Sequence, residues 1–383
     1  MNSSQTRTTP SLPVQHVGGE FDFEHVVLQP TTRCNLNCTY CYLPDRSQSS
    51  EMSTHVASAI ASSLLIVPHK VTLLWHGGEP LSCGLRKFRE LVKPFSALRR
   101  VGRIGHSLQT NATLITDQWC DFFREEDFKV GVSIDGPKAQ NLGRLNWAGN
   151  ESFDSVLKGM NTLRQNGIKF ATIAVVNECN VDDPATFYNF FLSIGCERLN
   201  INIKEREGLY RLAKDLDFEQ VRRFWKGLFD QWRAKPVLPI REFNYALGWM
   251  EGICTDDRGA SRPPRRDLWP TVSVNGDVGV VSPEFMAAAH GERDRFVVGN
   301  VTKTPLHEIV KQSWQSEYVR EFFLGVDECK RVCPYFSYCG GGQGSNKYFE
   351  LGTLNGTETA HCRNTRQAVV DAVLGALSDQ VRA

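Results

Sequence analysis

Short apolar runs alternate with longer amphipathic ones from residue 25 to about residue 235. The apolar runs cover 25–29, 71–76, 106–110, 130–135, 170–176 and 199–204. Most are rich in Val, Ile and Leu, as parallel strands buried on both faces should be. The stretches between them carry apolar residues at helical spacing: 53–67, 85–98, 117–126, 153–166 and 184–192, with a further helix at 218–234 after the last strand. Six strand–helix units in a row imply a parallel sheet with helices outside it. Eight would close a full barrel. The pattern therefore predicts an α/β fold, a partial (β/α)6 barrel of TIM type with an open side. An open side suits a large substrate such as a peptide.

The rhythm changes after about residue 236. Arg262-Pro263-Pro264-Arg265-Arg266 reads as a loop. Two short runs, 271–274 and 278–281, flank Asn275-Gly276-Asp277 and predict a β-hairpin. The region 329–362 is rich in glycine and reads as loop, and a helix over 363–378 closes the chain. Residues 1–16 are polar, rich in Ser and Thr, and lack the apolar core of a secretory signal. The expected division is a disordered tail 1–24, a barrel 25–235, a bridging region with the hairpin 236–310, and a C-terminal unit 311–383.

Charge changes this picture little. A net charge of +1 argues against bulk binding to nucleic acid or membrane. No apolar run approaches the roughly 20 residues that span a bilayer. Cysteine changes it more. Twelve cysteines in a chain of 383 residues without an export signal point to metal ligation in a cytoplasmic protein rather than to disulfides. Seven of them cluster. The other five (Cys83, Cys120, Cys179, Cys196 and Cys254) are scattered, as small buried hydrophobes are.

Cys34, Cys38 and Cys41 form C-x3-C-x2-C directly after the first strand. That places them at the C-terminal edge of the sheet, where α/β active sites sit. Three thiolates so close suit a 4Fe–4S cluster held by one loop, with the fourth iron left open to a ligand. A zinc site, which prefers paired CxxC and four ligands, or chance spacing are the alternatives. Cys329, Cys333, Cys339 and Cys362 supply four thiolates, the number that closes a 4Fe–4S cluster. A structural zinc knuckle is the alternative there.

With Tyr40 before its last cysteine, the triplet resembles that of radical S-adenosylmethionine (SAM) enzymes. The resemblance implies that SAM chelates the open iron and that an electron splits it to a 5′-deoxyadenosyl radical. Gly77-Gly78-Glu79-Pro80 follows the second strand and matches the family's GGEP segment, which receives the methionyl amino group. Gln109-Thr110-Asn111 ends the third strand, and Ser133-Ile134-Asp135-Gly136-Pro137 ends the fourth, as in related enzymes. Ser133 would reach the SAM ribose, and the guanidinium fork of Arg144 would pair with the SAM carboxylate. Relatives often carry His-Asp after the DGP, where this chain has Gln140-Asn141. The implied cofactor-binding set is Tyr40, Gly77, Gly78, Glu79, Pro80, Gln109, Asn111, Ser133 and Arg144.

The second cysteine group resembles the iron–sulfur (SPASM) extension of peptide-modifying radical SAM enzymes. A complete extension holds two auxiliary clusters. Two ligand positions of the first are here Val281 and Gln343, and Cys254 alone cannot hold it. Two clusters in total are expected. The run 339–350, with Gly352-Thr353, Thr357-Glu358-Thr359 and Cys362-Arg363, is similar to cyclophane-forming maturases of the GrrM and XncB type. That family acts on a ribosomal precursor peptide, with an external reductant such as flavodoxin or ferredoxin. It joins an aromatic ring carbon to the Cβ of a residue two positions on. A hydrogen atom leaves Cβ, the carbon radical adds to the arene, and a proton and an electron are lost. The auxiliary cluster would accept that electron. Asp277 and Glu284 are the candidate bases, because Ser282 stands where sulfatase-maturating relatives carry an Asp. Thioether formation, epimerisation and formylglycine formation remain open, as does a non-enzymatic iron–sulfur or zinc module. The tail of about 20 residues is too short for a separate leader-binding domain.

Overall fold

A computed structural model describes residues 23–255, 268–288 and 292–382. Most of the expected tail and the Arg262–Arg266 loop lie outside the described residues. Six parallel strands form the expected barrel wall: β1 (His25–Leu28), β2 (Val71–Trp75), β3 (Ile104–Thr110), β4 (Lys129–Ser133), β5 (Phe170–Val176) and β6 (Arg198–Ile203). Each pairs with the next in sequence, from His25 opposite Thr72 to Ala171 opposite Arg198. The barrel starts earlier than residue 25, because Phe23 is buried and Glu24 O accepts from Thr72 N–H at 2.8 Å.

Three of the helices that follow the strands begin where a short polar side chain caps them. They are α1 (Thr54–Ser63), α2 (Leu85–Val92), α3 (Ser96–Arg100), α4 (Asp117–Glu125), α5 (Phe153–Gln165), α6 (Pro184–Ser193) and α7 (Phe218–Ala234). Ser53, Asp183 and Asp217 accept from Val56, Thr186 and Gln220 N–H at the starts of α1, α6 and α7. The single helix expected over 85–98 is broken. Pro94 lacks an N–H donor, and a 3₁₀ turn at Lys93–Phe95 separates α2 from α3. The core behind the sheet is aromatic, with Trp75, Phe88, Phe95 and Phe122 buried together.

Past the barrel the sheet continues. β7 (Thr271–Val272) runs parallel to β1, and β8 (Asp277–Gly279) and β9 (Gly299–Asn300) add antiparallel strands, giving the order β6-β5-β4-β3-β2-β1-β7-β8-β9. The expected hairpin is therefore part of the barrel sheet. A helix that the sequence reading passed over, α8 (Arg241–Cys254), buries Phe243 and Ala246 beside it.

The region 329–362 is not loop-like, which corrects the sequence reading. After α9 (Leu306–Gln312), it holds the end of α10 (Glu317–Val332), then α11 (Phe336–Cys339), α12 (Gly344–Leu351) and α13 (Ala360–Cys362), and α14 (Ala368–Arg382) follows. Its glycines serve turns between them, with Gly340 and Gly352 left-handed at the ends of α11 and α12. This part docks on the barrel through buried hydrogen bonds. Trp225 Nε1 donates to Asn364 O at 2.8 Å, and Leu306 N–H donates to Ser63 Oγ at 2.9 Å. Of the scattered cysteines, Cys120 and Cys196 are buried, whereas Cys179 and Cys254 are exposed, contrary to the expected burial.

Candidate active site at the cysteine loop

Cys34, Cys38 and Cys41 sit half-buried on the loop after β1. Backbone bonds fix that loop from several directions. Cys34 N–H donates to Arg46 O at 2.9 Å, Asn37 N–H to Leu145 O at 2.7 Å and Thr39 N–H to Gly143 O at 2.9 Å. Trp147 Nε1 donates to Cys34 O at 2.8 Å. Burial pushes the Cys34 thiol up to about 12, with Glu79 and the other two cysteines adding to it. Burial also raises Cys38, against the nearby Arg144. Bare thiols are therefore favoured in the neutral form here, and a cationic centre would stabilise them as thiolates.

The GGEP segment packs on this loop. A Cβ on Gly78 would meet the carbonyl oxygens of Arg33, Thr31 and Thr32 at 2.6, 2.7 and 2.9 Å, and its φ is +62°. Only glycine satisfies both conditions. Glu79 is buried, and its carboxylate accepts from Leu81 N–H at 3.1 Å, Thr110 Oγ1 at 2.7 Å and Asn111 N–H at 2.7 Å. Pro80 opens a 3₁₀ turn. Gln109 Nε2 donates to Ser133 Oγ at 2.7 Å across the ends of β3 and β4. Asn111 Nδ2 donates to Asn35 Oδ1 at 2.9 Å and lies 4.0 Å from Cys34 Sγ.

Arg144 is bound to the protein itself. Its Nε lies 3.3 Å from Asp135 Oδ2, and its guanidinium carbon lies 5.9 Å from the Tyr40 ring centroid. The Tyr40 hydroxyl also donates to Asp135 Oδ2. Asn141, the departure from the usual His-Asp, accepts from Asp135 N–H at 3.0 Å and so fixes the turn after β4. Sequence reasoning quoted Asp135 but gave it no part. It ties the cysteine loop, through Tyr40, to the end of β4. His76 was also missed. It is half-buried at the end of β2, its Nδ1 has no hydrogen-bond partner, and burial lowers it to about 4.

The two base candidates separate in space. Asp277 lies on the hairpin, accepts from Asn300 Nδ2 at 2.9 Å and pairs with Arg293 at 3.6 Å. Glu284 is held by the Ser282 hydroxyl, whose oxygen also lies 3.0 Å from Ser345 Oγ. Burial raises the Glu284 carboxyl, and Glu205 adds to the shift. Glu205 and Glu207 belong to the same group of carboxylates, and sequence reasoning passed over both. Two acidic residues just beyond a barrel strand, at the edge where sites form, were the available signal.

The four C-terminal cysteines line one cavity of about 190 Å³, together with Tyr335, Gly341 and Thr357. Polar groups aim at the sulfurs. Lys347 Nζ is 3.7 Å from Cys329 Sγ, and Thr359 N–H is 3.4 Å from Cys362 Sγ. Burial pushes Cys362 up to about 12. Among the described residues, no group of three or more His, Cys, Asp or Glu converges as a single metal ion requires. Four thiols around one cavity match the donor number that a closed 4Fe–4S cluster or a structural zinc ion takes. The positions taken by Val281 and Gln343 are filled by packing. Val281 lies against Gly344, whose Cβ would meet it at 2.5 Å, and Gln343 precedes α12.

Known proteins with this architecture agree. The Radical SAM superfamily matches residues 28–191. The chain is 31% identical over 374 residues to the uncharacterized protein sll1766 of Synechocystis sp., covering 93% of this chain and 92% of that protein. It is 29% identical over 357 residues to the serine-type anaerobic sulfatase-maturating enzyme of Bacteroides thetaiotaomicron, covering 85% and 83%. Among solved structures, native anSMEcpe with bound AdoMet and Cp18Cys peptide superimposes with a TM-score of 0.72 at 23% identity, covering 94% of this chain and 98% of that one. No helix among the described residues is long and apolar enough to cross a membrane. The chain is an enzyme of the radical SAM superfamily, which implies a 4Fe–4S cluster and S-adenosylmethionine.

Proposed function

We propose that this enzyme matures a ribosomally made peptide by joining an aromatic ring carbon to the Cβ of a nearby residue. In this reading Cys34, Cys38 and Cys41 hold the SAM-binding cluster, and Cys329, Cys333, Cys339 and Cys362 hold a second, closed one. The C-terminal unit, 311–383, is the SPASM-like part, joined to the barrel by 236–310. Bound there, SAM and its cluster supply a 5′-deoxyadenosyl radical that abstracts a hydrogen atom. An external one-electron donor, such as flavodoxin or ferredoxin, completes the system.

The protein's own residues have the following parts. Gly77, Gly78 and Pro80 bring backbone close to the cysteine loop, and Glu79 braces it through Leu81, Thr110 and Asn111. Gln109, Asn111 and Ser133 offer polar groups at the ends of β3 and β4, where SAM would lie. Arg144 and Tyr40 hold Asp135 and set the shape of that edge. Glu284 takes the ring proton. Its carboxyl is raised by burial, which favours taking a proton, whereas Asp277 is engaged by Arg293 on the hairpin.

The observation that carries the reading is the four-thiol cavity on the same barrel. Crosslinking removes two electrons: one leaves with the abstracted hydrogen atom, and a closed one-electron redox centre would take the other as the ring loses its proton. Formylglycine formation is the second reading, favoured by the likeness to the Bacteroides enzyme. Co-expression with the small open reading frame beside the gene, followed by tandem mass spectrometry, separates the two. A crosslinked peptide loses two hydrogens per bond and resists fragmentation inside the ring. A peptide that reacts with an aldehyde probe, or keeps its mass, overturns the crosslinking reading.

A further inference from the structure

Just beyond β6 lies a run with no assigned role: Lys204-Glu205-Arg206-Glu207-Gly208. Its basic residues are already engaged. Lys204 pairs with Glu178, and Arg206 lies 3.0 Å from Asp215 and 3.8 Å from Glu350. Its glutamates meet Asn346 of α12, whose Nδ2 donates to Glu205 Oε2 at 2.8 Å and to Glu207 Oε1 at 3.1 Å. Among the described residues, Glu207 and Glu284 have no cation within ion-pair distance, and Glu205 has the His361 imidazole at 3.4 Å, with Arg241 and Arg366 acting on it from farther off. Carboxylates brought together under these conditions repel one another.

A second observation points to a ligand. Asn346 is 1% exposed, and its Oδ1 has no hydrogen-bond partner. A buried amide oxygen left unpaired is unfavourable. The open function here is thus an acceptor set among carboxyl groups, which suits a ligand made of donors. The place is beside the cysteine loop. Leu209 N–H donates to Tyr42 O at 3.1 Å, and a Cβ on Gly208, where φ is +50°, would meet the same oxygen at 2.4 Å. The Glu205 side chain keeps 21% of its surface exposed, which leaves a way in.

We propose that Glu205, Glu207 and Asn346 form a pocket for a cationic side chain of the substrate peptide, a guanidinium or an ammonium group. The proposal rests on the peptide-modifying reading above and adds its substrate class: a basic residue near the residue that reacts. A cation carrying several N–H donors would satisfy both carboxylates and the amide oxygen together.

The test uses full-length enzyme reconstituted with its clusters and SAM, and blocked pentapeptides that differ at one position. That position carries arginine, lysine, citrulline or norleucine next to an aromatic residue. Calorimetric binding to wild type should favour arginine and lysine over the neutral pair by on the order of tenfold. In Glu207→Gln and Glu205→Gln that ratio should fall to near one. Glutamine is isosteric, and melting temperatures no lower than wild type would show both variants folded. Equal binding of charged and neutral peptides to wild type overturns the proposal, as does an undiminished ratio in both folded variants. Mass spectra of the same peptides keep the two readings apart. Crosslinks without a charge preference sink this proposal alone, and a charge preference with an aldehyde product sinks only the crosslinking reading.

Discussion

Cys34, Cys38 and Cys41 come from one loop, whereas Cys329, Cys333, Cys339 and Cys362 come from α10, the turn after it, the end of α11 and α13. The first set is tied down by backbone bonds to residues around 46 and 143–147 and by the Gly78 contact. The second surrounds a cavity of about 190 Å³, with few atoms of its own to fill it. The contrast teaches that similar donor groups can be pre-formed or contingent. The loop keeps its shape through the barrel, whereas the helical set depends on what occupies its centre.

The largest effects would break the comparison at its chemistry. Cys38→Ala should abolish SAM cleavage by the reduced enzyme, a loss of about a thousandfold or more if the loop holds the reactive cluster. Cys339→Ala should leave SAM cleavage measurable while peptide product disappears. Each variant should lower iron from about 8 to about 4 per chain. A Cys339→Ala enzyme that crosslinks at full rate would remove the second site from the reaction.

Metal removal should expose the structural side of the contrast. Chelation under anaerobic conditions, read by amide hydrogen exchange, should raise exchange strongly across α10–α13 and little in β1–β5. Equal loss of protection in both regions would show that the barrel also folds around its metal. Gly78→Ala acts on the pre-formed side alone. A left-handed φ and three carbonyl oxygens within 2.9 Å leave no room for a methyl group. The expected loss is about 2–3 kcal/mol, seen as a lower melting temperature.

The two regions were not equally legible in the sequence. β1 and β5 announced themselves as nearly unbroken apolar runs, and β2 and β3 by alternating buried and half-buried positions, each set between helix-like stretches. The cysteine loop and the GGEP segment were legible because their residues are contiguous and glycine has few substitutes at a position such as Gly78. The helices α10 to α13 were read as loop because several are a turn or two long, and glycines separate them. The carboxylate cluster was invisible for a different reason. Glu205 and Glu207 share one run, but Glu284 and Asn346 lie far along the chain and join them only in the fold, so the pair alone did not announce a cluster.

That seam should give the smallest effect, and one whose sign can be worked out. Burial, with Glu205 and Glu284 adding to it, holds the Glu207 carboxyl well above its ordinary value of 4.5. Burial likewise raises Glu205, which faces Arg241, Arg366 and the His361 imidazole, and Glu284, which faces Ser282 and Ser345. The folded protein therefore keeps protons that the unfolded chain releases above 4.5. Stability from this cluster is fully present below that value and declines as pH rises through the folded values. Between pH 5 and 8 the melting temperature of wild type should fall relative to Glu207→Gln, which cannot ionise. The difference should be on the order of 1 kcal/mol, a few degrees for a chain of this size. Parallel curves for the two proteins would mean that the carboxylates are already compensated at the seam. Convergence of the curves when an arginine peptide is added would place the missing charge on the substrate.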